Sequence, residues 1–123
     1  MACAFCTMAR DNIIISNTLA YAVRDTSPVT PFHSLMVPNS HVGDYFELES
    51  DERDAIDELL KETRRDILLR DPTVGGFNIG INAGAVAGQT IFHCHVHLIP
   101  RRPGDVASPR GGVRAVIPGK ADY

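Results

Sequence analysis

A chain of 123 residues is long enough for one domain with a real core and no disulfide staples. Its apolar fraction of 44% and charged fraction of 22% are those of an ordinary soluble protein, and no apolar run approaches the roughly 18 residues of a membrane span. A formal net charge of −3 speaks against a dedicated nucleic-acid binder, so the expectation is neither a nucleic-acid nor a membrane partner.

The start, MACAFCTMARDN, has no charged region followed by an apolar one, which points to a cytoplasmic protein with reduced thiols. The three cysteines then read as ligands or core residues rather than as a disulfide framework. IIISNTLAYAVRD predicts a strand, a turn near Ser16 and Asn17, and a second strand. SPVTPFHS is a turn region, SLMVPN a short apolar strand stopped by Pro38, and HVGDYFELES a loop. SDERDAIDELLKETRRDILLRDP is the one clear helix. Ser50 is its expected N-cap, with Ile56, Leu59, Leu60, Thr63, Ile67 and Leu68 near helical spacing and Asp71-Pro72 as the stop. GFNIGINAG predicts a strand running into a glycine-rich loop, and AGAVAGQT leads into IFHCHVHLIP. Residues 101–123 are rich in Gly, Pro and Arg and read as loop, with a short extended piece at residues 113–117. No internal repeat interrupts this order. Short strands around one long helix predict a single α+β domain over residues 1–123, an antiparallel β-sheet with the helix packed on it.

The stretch IFHCHVHLIP carries three of the chain's five histidines, at every second position. As a strand over residues 91–100 it aligns His93, His95 and His97 on one face, with Cys94, Val96 and Leu98 toward the core. Three imidazoles so close depress one another's pKa, which keeps at least one neutral and nucleophilic. The pattern suits attack on phosphorus. One histidine attacks and flanking donors neutralise charge on the non-bridging oxygens; the middle residue, His95, has support on both sides. The preceding NAGAVAGQT adds Asn82, Gln89 and Thr90 as donors for phosphate oxygens, among small residues that let backbone N–H groups approach. A catalytic metal held by all three histidines is disfavoured, since residues strung along one flat strand span too far to converge on one ion.

Cys3 and Cys6 form a C-x-x-C pair without the βαβ context of a redox motif. A tetrahedral structural zinc needs two further ligands, and His41 with His93 are the natural ones. Residues 1–10 are then a zinc-binding N-terminal segment; the alternative is two partly buried thiols near the terminus.

QTIFHCHVHLI resembles the histidine triad motif, His-φ-His-φ-His-φ-φ with φ apolar. VRDTSPVTPFHSLMVPNSHV is similar to that family's strand–turn–strand, and the C-x-x-C start, central helix and loop follow its order. The GD and PRGG of the C-terminal segment are most similar to a bacterial branch labelled diadenosine polyphosphate hydrolase-like. The resemblance implies a nucleotide hydrolase or transferase that cleaves at an α-phosphate through a nucleotidyl-histidine intermediate. It implies His95 as nucleophile, His97 on the phosphate and leaving group, His33 as a buried histidine orienting the triad, and Asp25 on the ribose hydroxyls. Asn82, Gln89 and Thr90 would hold phosphate oxygens, and the family's zinc is similar to the site at Cys3, Cys6, His41 and His93. A homodimer is implied, as is a nucleotide or dinucleoside polyphosphate substrate, with a divalent cation accompanying a polyphosphate. A nucleoside phosphoramidase, a nucleotidyl transferase and a non-catalytic nucleotide-binding module are the alternatives. The family usually has Gly where this chain has Phe32, and Arg101, Arg102, Arg110 and Arg114 are candidates to face a polyphosphate tail.

Overall fold

The structure is a computed structural model that describes residues 3–123. Five strands form one antiparallel sheet: β1 (Ile13–Ser16), β2 (Ala20–Arg24), β3 (Ser34–Pro38), β4 (Gly76–Gly80) and β5 (Val96–Arg101), in the order β1-β2-β3-β5-β4. The helix α1 (Ser50–Arg70) lies between β3 and β4 in the chain and packs on one sheet face. This is the expected α+β architecture.

The faces follow from alternation along each strand. Ala20, Ala22, Met36, Val96 and Leu98 point toward α1 and meet Ile56, Leu59 and Ile67. These three helix residues share a stripe at helical spacing, as the sequence requires. The alternate residues, Tyr21, Val23, Leu35 and Val37, turn to the other face, where Ile13 of β1 joins them and Phe5, Cys3 and Met8 of the N-terminal segment pack on them. The register pairs His97 with Leu35 of β3 and Gly80 of β4, so His97 belongs to this second face.

Three local expectations are corrected. Helix α1 is capped by Glu49, not Ser50. Glu49 donates its N–H to Glu52 Oε1 (2.9 Å) and its own carboxylate accepts from the Glu52 N–H, a reciprocal box that places Ser50 one residue inside the helix. The strand expected over residues 91–100 begins only at Val96, because its ladder with β3 ends at the Met36–Val96 pair. Residues 93–95 run on past that ladder, held by the Cys94 N–H on the Val42 carbonyl (2.8 Å). Residues 113–117 are not extended either. A 3₁₀ turn spans Gly112–Val116, entered through Gly111 at φ +87°, where a Cβ would lie 2.5 Å from the Ala121 carbonyl oxygen. The C-terminal end folds back on itself there and leaves no straight path for a strand.

Among the described residues, no helix is long and apolar enough to cross a membrane.

Candidate active site

The two histidines nearest the open face are fixed by different bonds. His95 Nδ1 lies 2.9 Å from the His93 carbonyl oxygen. A carbonyl only accepts, so Nδ1 carries the proton, and in the neutral ring Nε2 keeps a free lone pair. The ring is flanked by Phe5 and His97, with centroids 5.1 Å and 5.3 Å away.

His97 projects from β5 with its Nδ1 2.9 Å from Nε2 of His33. His33 is buried, and its Nδ1 accepts the Val29 backbone N–H at 3.0 Å. That bond places the His33 proton on Nε2, which donates to His97 Nδ1. The proton of neutral His97 therefore sits on Nε2. Burial lowers the pKa of His33 against the opposing pull of Asp25. Burial likewise lowers His97, reinforced by His95 and His33. The site thus presents one bare imidazole nitrogen beside one imidazole N–H, a nucleophile next to a hydrogen-bond donor.

Asp25 does two things. Its Oδ1 accepts the Ser27 N–H (2.8 Å) and starts the β2–β3 turn, while Oδ2 lies 3.5 Å from His33 Nε2. Asp25, His33 and His97 bring donor atoms within 4.8 Å of one another. They form a proton-linked chain rather than a cation cage, because His33 Nε2 must keep its hydrogen.

In the loop between β4 and β5, the donors part company. Among the described residues, the side chains of Asn82 and Thr90 have no hydrogen-bond partner, and Thr90 is exposed. Gln89 is buried and fully engaged: Oε1 accepts the Gly84 N–H (2.9 Å), and Nε2 donates to the carbonyls of Gly43 (2.7 Å) and Ile91 (3.1 Å). Gln89, expected as a phosphate ligand, is instead the internal tie of the loop, since no polar atom of its side chain lacks a partner.

The four expected metal ligands converge. His93 Nε2 donates to the Pro38 carbonyl (2.9 Å), which leaves Nδ1 as the coordinating nitrogen. That Nδ1 is 3.5 Å from Sγ of both Cys3 and Cys6 and 3.2 Å from Nδ1 of His41, which is itself 3.1 Å from Cys6 Sγ. Tetrahedral bonds of about 2.0–2.1 Å to nitrogen and 2.3 Å to sulfur put neighbouring ligand atoms roughly 3.3–3.8 Å apart. The observed separations are close to those edges, so the donor set fits a tetrahedral ion.

The C-terminal arginines are not free. Arg101 pairs with Asp105 through Nε and Nη2 (2.8 Å each) and reaches Asn78 with Nη1 (2.7 Å). Arg102 pairs with Asp71 (2.9 Å) and the Pro31 carbonyl (3.0 Å). Arg110 and Arg114 each stack 4.7 Å from the Tyr123 ring.

Two contributors escaped the sequence reading. Phe5 was only the filler of C-x-x-C, and nothing in the sequence shows that converging cysteines turn it onto His95. The Val29 N–H is a backbone atom and carries no sequence signal.

The HIT domain family matches residues 7–104, which include His33 and the three triad histidines. A zinc-bound histidine triad family protein from Mycobacterium smegmatis superposes with a TM-score of 0.78 at 30% identity, covering 88% of this chain and 81% of that one. A histidine triad nucleotide-binding protein from Sulfolobus tokodaii gives a TM-score of 0.76 at 30% identity, covering 84% and 71%. An adenylylsulfatase of Arabidopsis thaliana is 29% identical over 109 residues, 84% of this chain and 54% of that protein. With the triad, the sheet and the matched span in agreement, the chain belongs to the HIT family.

Proposed function

We propose that this protein hydrolyses nucleoside 5′-phosphoryl compounds at the α-phosphorus through a covalent nucleotidyl-histidine. The observation that carries the reading is the tautomer of His95. Its Nδ1 proton is spent on the His93 carbonyl, so Nε2 is a ready nucleophile. Attack forms the Nε2–P bond as the bond to the leaving group breaks. The Nε2–H of His97 donates to an oxygen on the reacting phosphate, and Asn82 and Thr90 supply further donors from the loop that Gln89 ties. Water then attacks phosphorus, the electron pair returns to His95 Nε2, and the nucleoside monophosphate leaves. Asp25, at the mouth of the β2–β3 turn, is assigned to the ribose hydroxyls. A dinucleoside polyphosphate is the expected substrate, its charge carried by an accompanying divalent cation because Arg101 and Arg102 are already paired.

Cys3, Cys6, His41 and His93 would hold a zinc ion. The zinc-bound relative and the donor spacing support this. When bound it supplies rigidity, with no open position for chemistry. His93 side chain and carbonyl then serve the two sites at once. A homodimer is the expected assembly, supported by the exposed edge strand β4 and its uncovered Ile79.

The test is AMP release from diadenosine tetraphosphate, with the adduct trapped by acid-free quench and located by mass spectrometry. Wild-type protein is expected to release AMP and carry an adenylyl group on His95. His95→Ala is expected to lose at least 1,000-fold in turnover, in line with removal of a covalent nucleophile (about 4 kcal/mol or more). AMP release that survives in His95→Ala would sink the reading.

A further inference from the structure

Cys3 and Cys6 have a second chemistry open to them besides holding a metal. The Cys3 carbonyl accepts the Cys6 N–H (3.1 Å), the Thr7 N–H (3.2 Å) and the Thr7 hydroxyl (3.1 Å), so Cys3 to Cys6 close one tight turn. The first and last Cα atoms of such a turn lie within about 7 Å of each other, and a disulfide spans roughly 4.4–6.8 Å. The two sulfurs converge. Each lies 3.5 Å from His93 Nδ1, and they are within 4.8 Å of each other. Joining them calls for side-chain rotation rather than a new backbone path.

The two thiols differ in exposure. Cys6 is exposed and Cys3 half-buried beside it, while the remaining cysteine, Cys94, is buried in the core that faces α1. An oxidant from solvent meets Cys6 first, and of the other two thiols only Cys3 is within its reach. The pair is also coupled to the triad. Phe5, between the two cysteines, is buried. Its carbonyl accepts the Tyr21 hydroxyl, and its ring packs on His93 and His95 with centroids 5.7 Å and 5.1 Å away. His93, the neighbour of both sulfurs, holds the Nδ1 proton of His95 with its carbonyl.

We propose that Cys3 and Cys6 are a reversible redox modification site: a peroxide closes them into a disulfide, which excludes zinc and loosens the N-terminal segment from His95. The proposal rests on the zinc reading above. In the first step Cys6 Sγ bonds to one peroxide oxygen, the O–O bond breaks, and the other oxygen leaves as water with the thiol proton. Cys6 is then a sulfenic acid. In the second step Cys3 Sγ bonds to the Cys6 sulfur, the S–O bond breaks, and the hydroxyl leaves as water with the Cys3 proton. The two sulfurs together lose two electrons, and hydrogen peroxide is reduced to two waters. From the zinc-loaded state the two protons come from solvent. A dithiol reverses the change by exchange. A disulfide offers no thiolate, so the oxidised chain keeps only His41 and His93 of the tetrahedral set. The turn that carries Phe5 then loses its tie to those histidines.

The test uses the zinc-loaded full chain and hydrogen peroxide. A chromogenic chelator follows the metal, intact mass and alkylation mapping follow the sulfurs, and hydrogen exchange follows the segment. None of these needs turnover. Peroxide is expected to release the zinc in step with a loss of two hydrogens per chain, to leave Cys94 open to alkylation after unfolding, and to speed exchange over residues 3–12. Dithiothreitol with added zinc is expected to restore the starting state. AMP release from diadenosine tetraphosphate is expected to fall about tenfold in the oxidised protein and to return on reduction, the scale of a slightly misplaced reacting group. In Cys3→Ser the reaction is expected to stop at oxygen addition on Cys6, with no bond within the chain. Zinc-loaded protein that keeps its metal and both thiols under peroxide, that gains oxygen or links between chains in place of the Cys3–Cys6 bond, or whose oxidised form exchanges over residues 3–12 as slowly as before overturns the proposal and leaves the zinc reading standing. A chain that takes up no zinc overturns the zinc reading and takes this one with it.

Discussion

A bulky L-residue in the left-handed region stores about 1–2 kcal/mol of backbone strain. Phe32, at φ +72°, is the one non-glycine residue in that state among the described residues, and it precedes the buried His33. The strain is held by a chain of contacts. Arg24 lies 5.1 Å from the Phe32 ring centroid, donates to Ser34 Oγ (2.7 Å) and reaches Asp66 of α1 (3.3 Å), while Ser34 Oγ donates to the Phe32 carbonyl (2.7 Å). The ring also packs against the helix-side core. Phe32→Ala loses the ring and keeps the strain. Phe32→Gly loses the ring but relieves the strain, against a smaller entropic cost in the unfolded chain. Chemical denaturation is therefore expected to rank wild type above Gly and Gly above Ala, the last two about 1 kcal/mol apart. An Ala variant as stable as Gly would refute the strain argument. The position was legible as a departure from the family's usual glycine; the compensating Arg24 stack was not, because it joins residues brought together only by the β2–β3 pairing. The histidines give a second residue-scale prediction. Burial lowers His33 and His97 in the folded state, whereas unfolded histidines titrate near 6.5. Below that pH the unfolded chain takes up protons that the folded chain refuses. Stability is full above about pH 6.5 and is lost as pH falls toward the depressed folded values, by up to about 1.4 kcal/mol per pH unit for each proton. Thermal melts should show a lower Tm at pH 5.5 than at 7.5, and His33→Gln should flatten that difference. An unchanged slope in the variant would count against the assignment.

At the scale of elements, the loop between β4 and β5 is organised by one side chain. Gln89 satisfies the Gly84 N–H and two carbonyls, from Gly43 and Ile91, and so joins the loop to the segment that precedes α1. Its short 3₁₀ turn at Ala85–Ala87 is bounded by Gly84 and Gly88, both at positive φ, so the backbone reverses twice within a few residues. Gln89→Ala removes three hydrogen bonds that a buried side-chain amide makes to the backbone and is expected to cost about 1–3 kcal/mol. Because the same loop carries Asn82 and Thr90, KM for the nucleotide should rise more than kcat falls. A variant with wild-type KM and a wild-type melt would show that the tie is dispensable. The sequence pointed to this loop by its small residues and its place before the histidines, but it assigned Gln89 to phosphate. A glutamine that ties backbone and one that binds ligand look the same in one dimension. The boundary of β5 is illegible for a related reason. Alternation extends back to residue 91, yet a strand lasts only as long as its neighbour offers a ladder, and β3 stops offering one at Met36. The helix was legible nearly to the residue because its bonds are internal and its apolar spacing is its own.

Across the whole molecule, the sheet has one face sealed by α1 and a second closed only in part. Over β1 to β3 the second face is covered by the N-terminal segment, where Phe5 is buried and its carbonyl accepts the Tyr21 hydroxyl (2.5 Å). Over β5 and β4 the same face carries His97, Ile99 and Arg101 opposite Gly80, Asn78 and Gly76, and the two glycines leave room above the strands. The triad lies at the border between the covered and the open halves. The composition and strand count foretold an antiparallel sheet with a helix, but this division depends on which segment folds over which strands, and Phe5, Cys3 and Met8 pack on that face only in the folded chain. Among its described residues, the N-terminal segment has no helix or strand beyond a 3₁₀ turn at Arg10–Asn12. Its hold on the sheet rests on the Phe5 contacts and on Cys3 and Cys6 meeting His41 and His93. If a zinc ion ties those four, a chelator removes a tether that binds only the folded chain, and stability falls by mass action. A loss of about 2 kcal/mol lowers the Tm of a domain of this size by roughly 6–12 °C. Hydrogen exchange should localise the change: faster exchange over residues 3–12, with β2, β3 and α1 still protected, and the same pattern in Cys3→Ser without chelator. His95 should respond with them, since Phe5 packs on its ring and the His93 carbonyl holds its Nδ1 proton. Fast exchange over residues 3–12 in both the loaded and the stripped protein would mean that the segment is not held by metal, and that the triad is framed by the sheet alone.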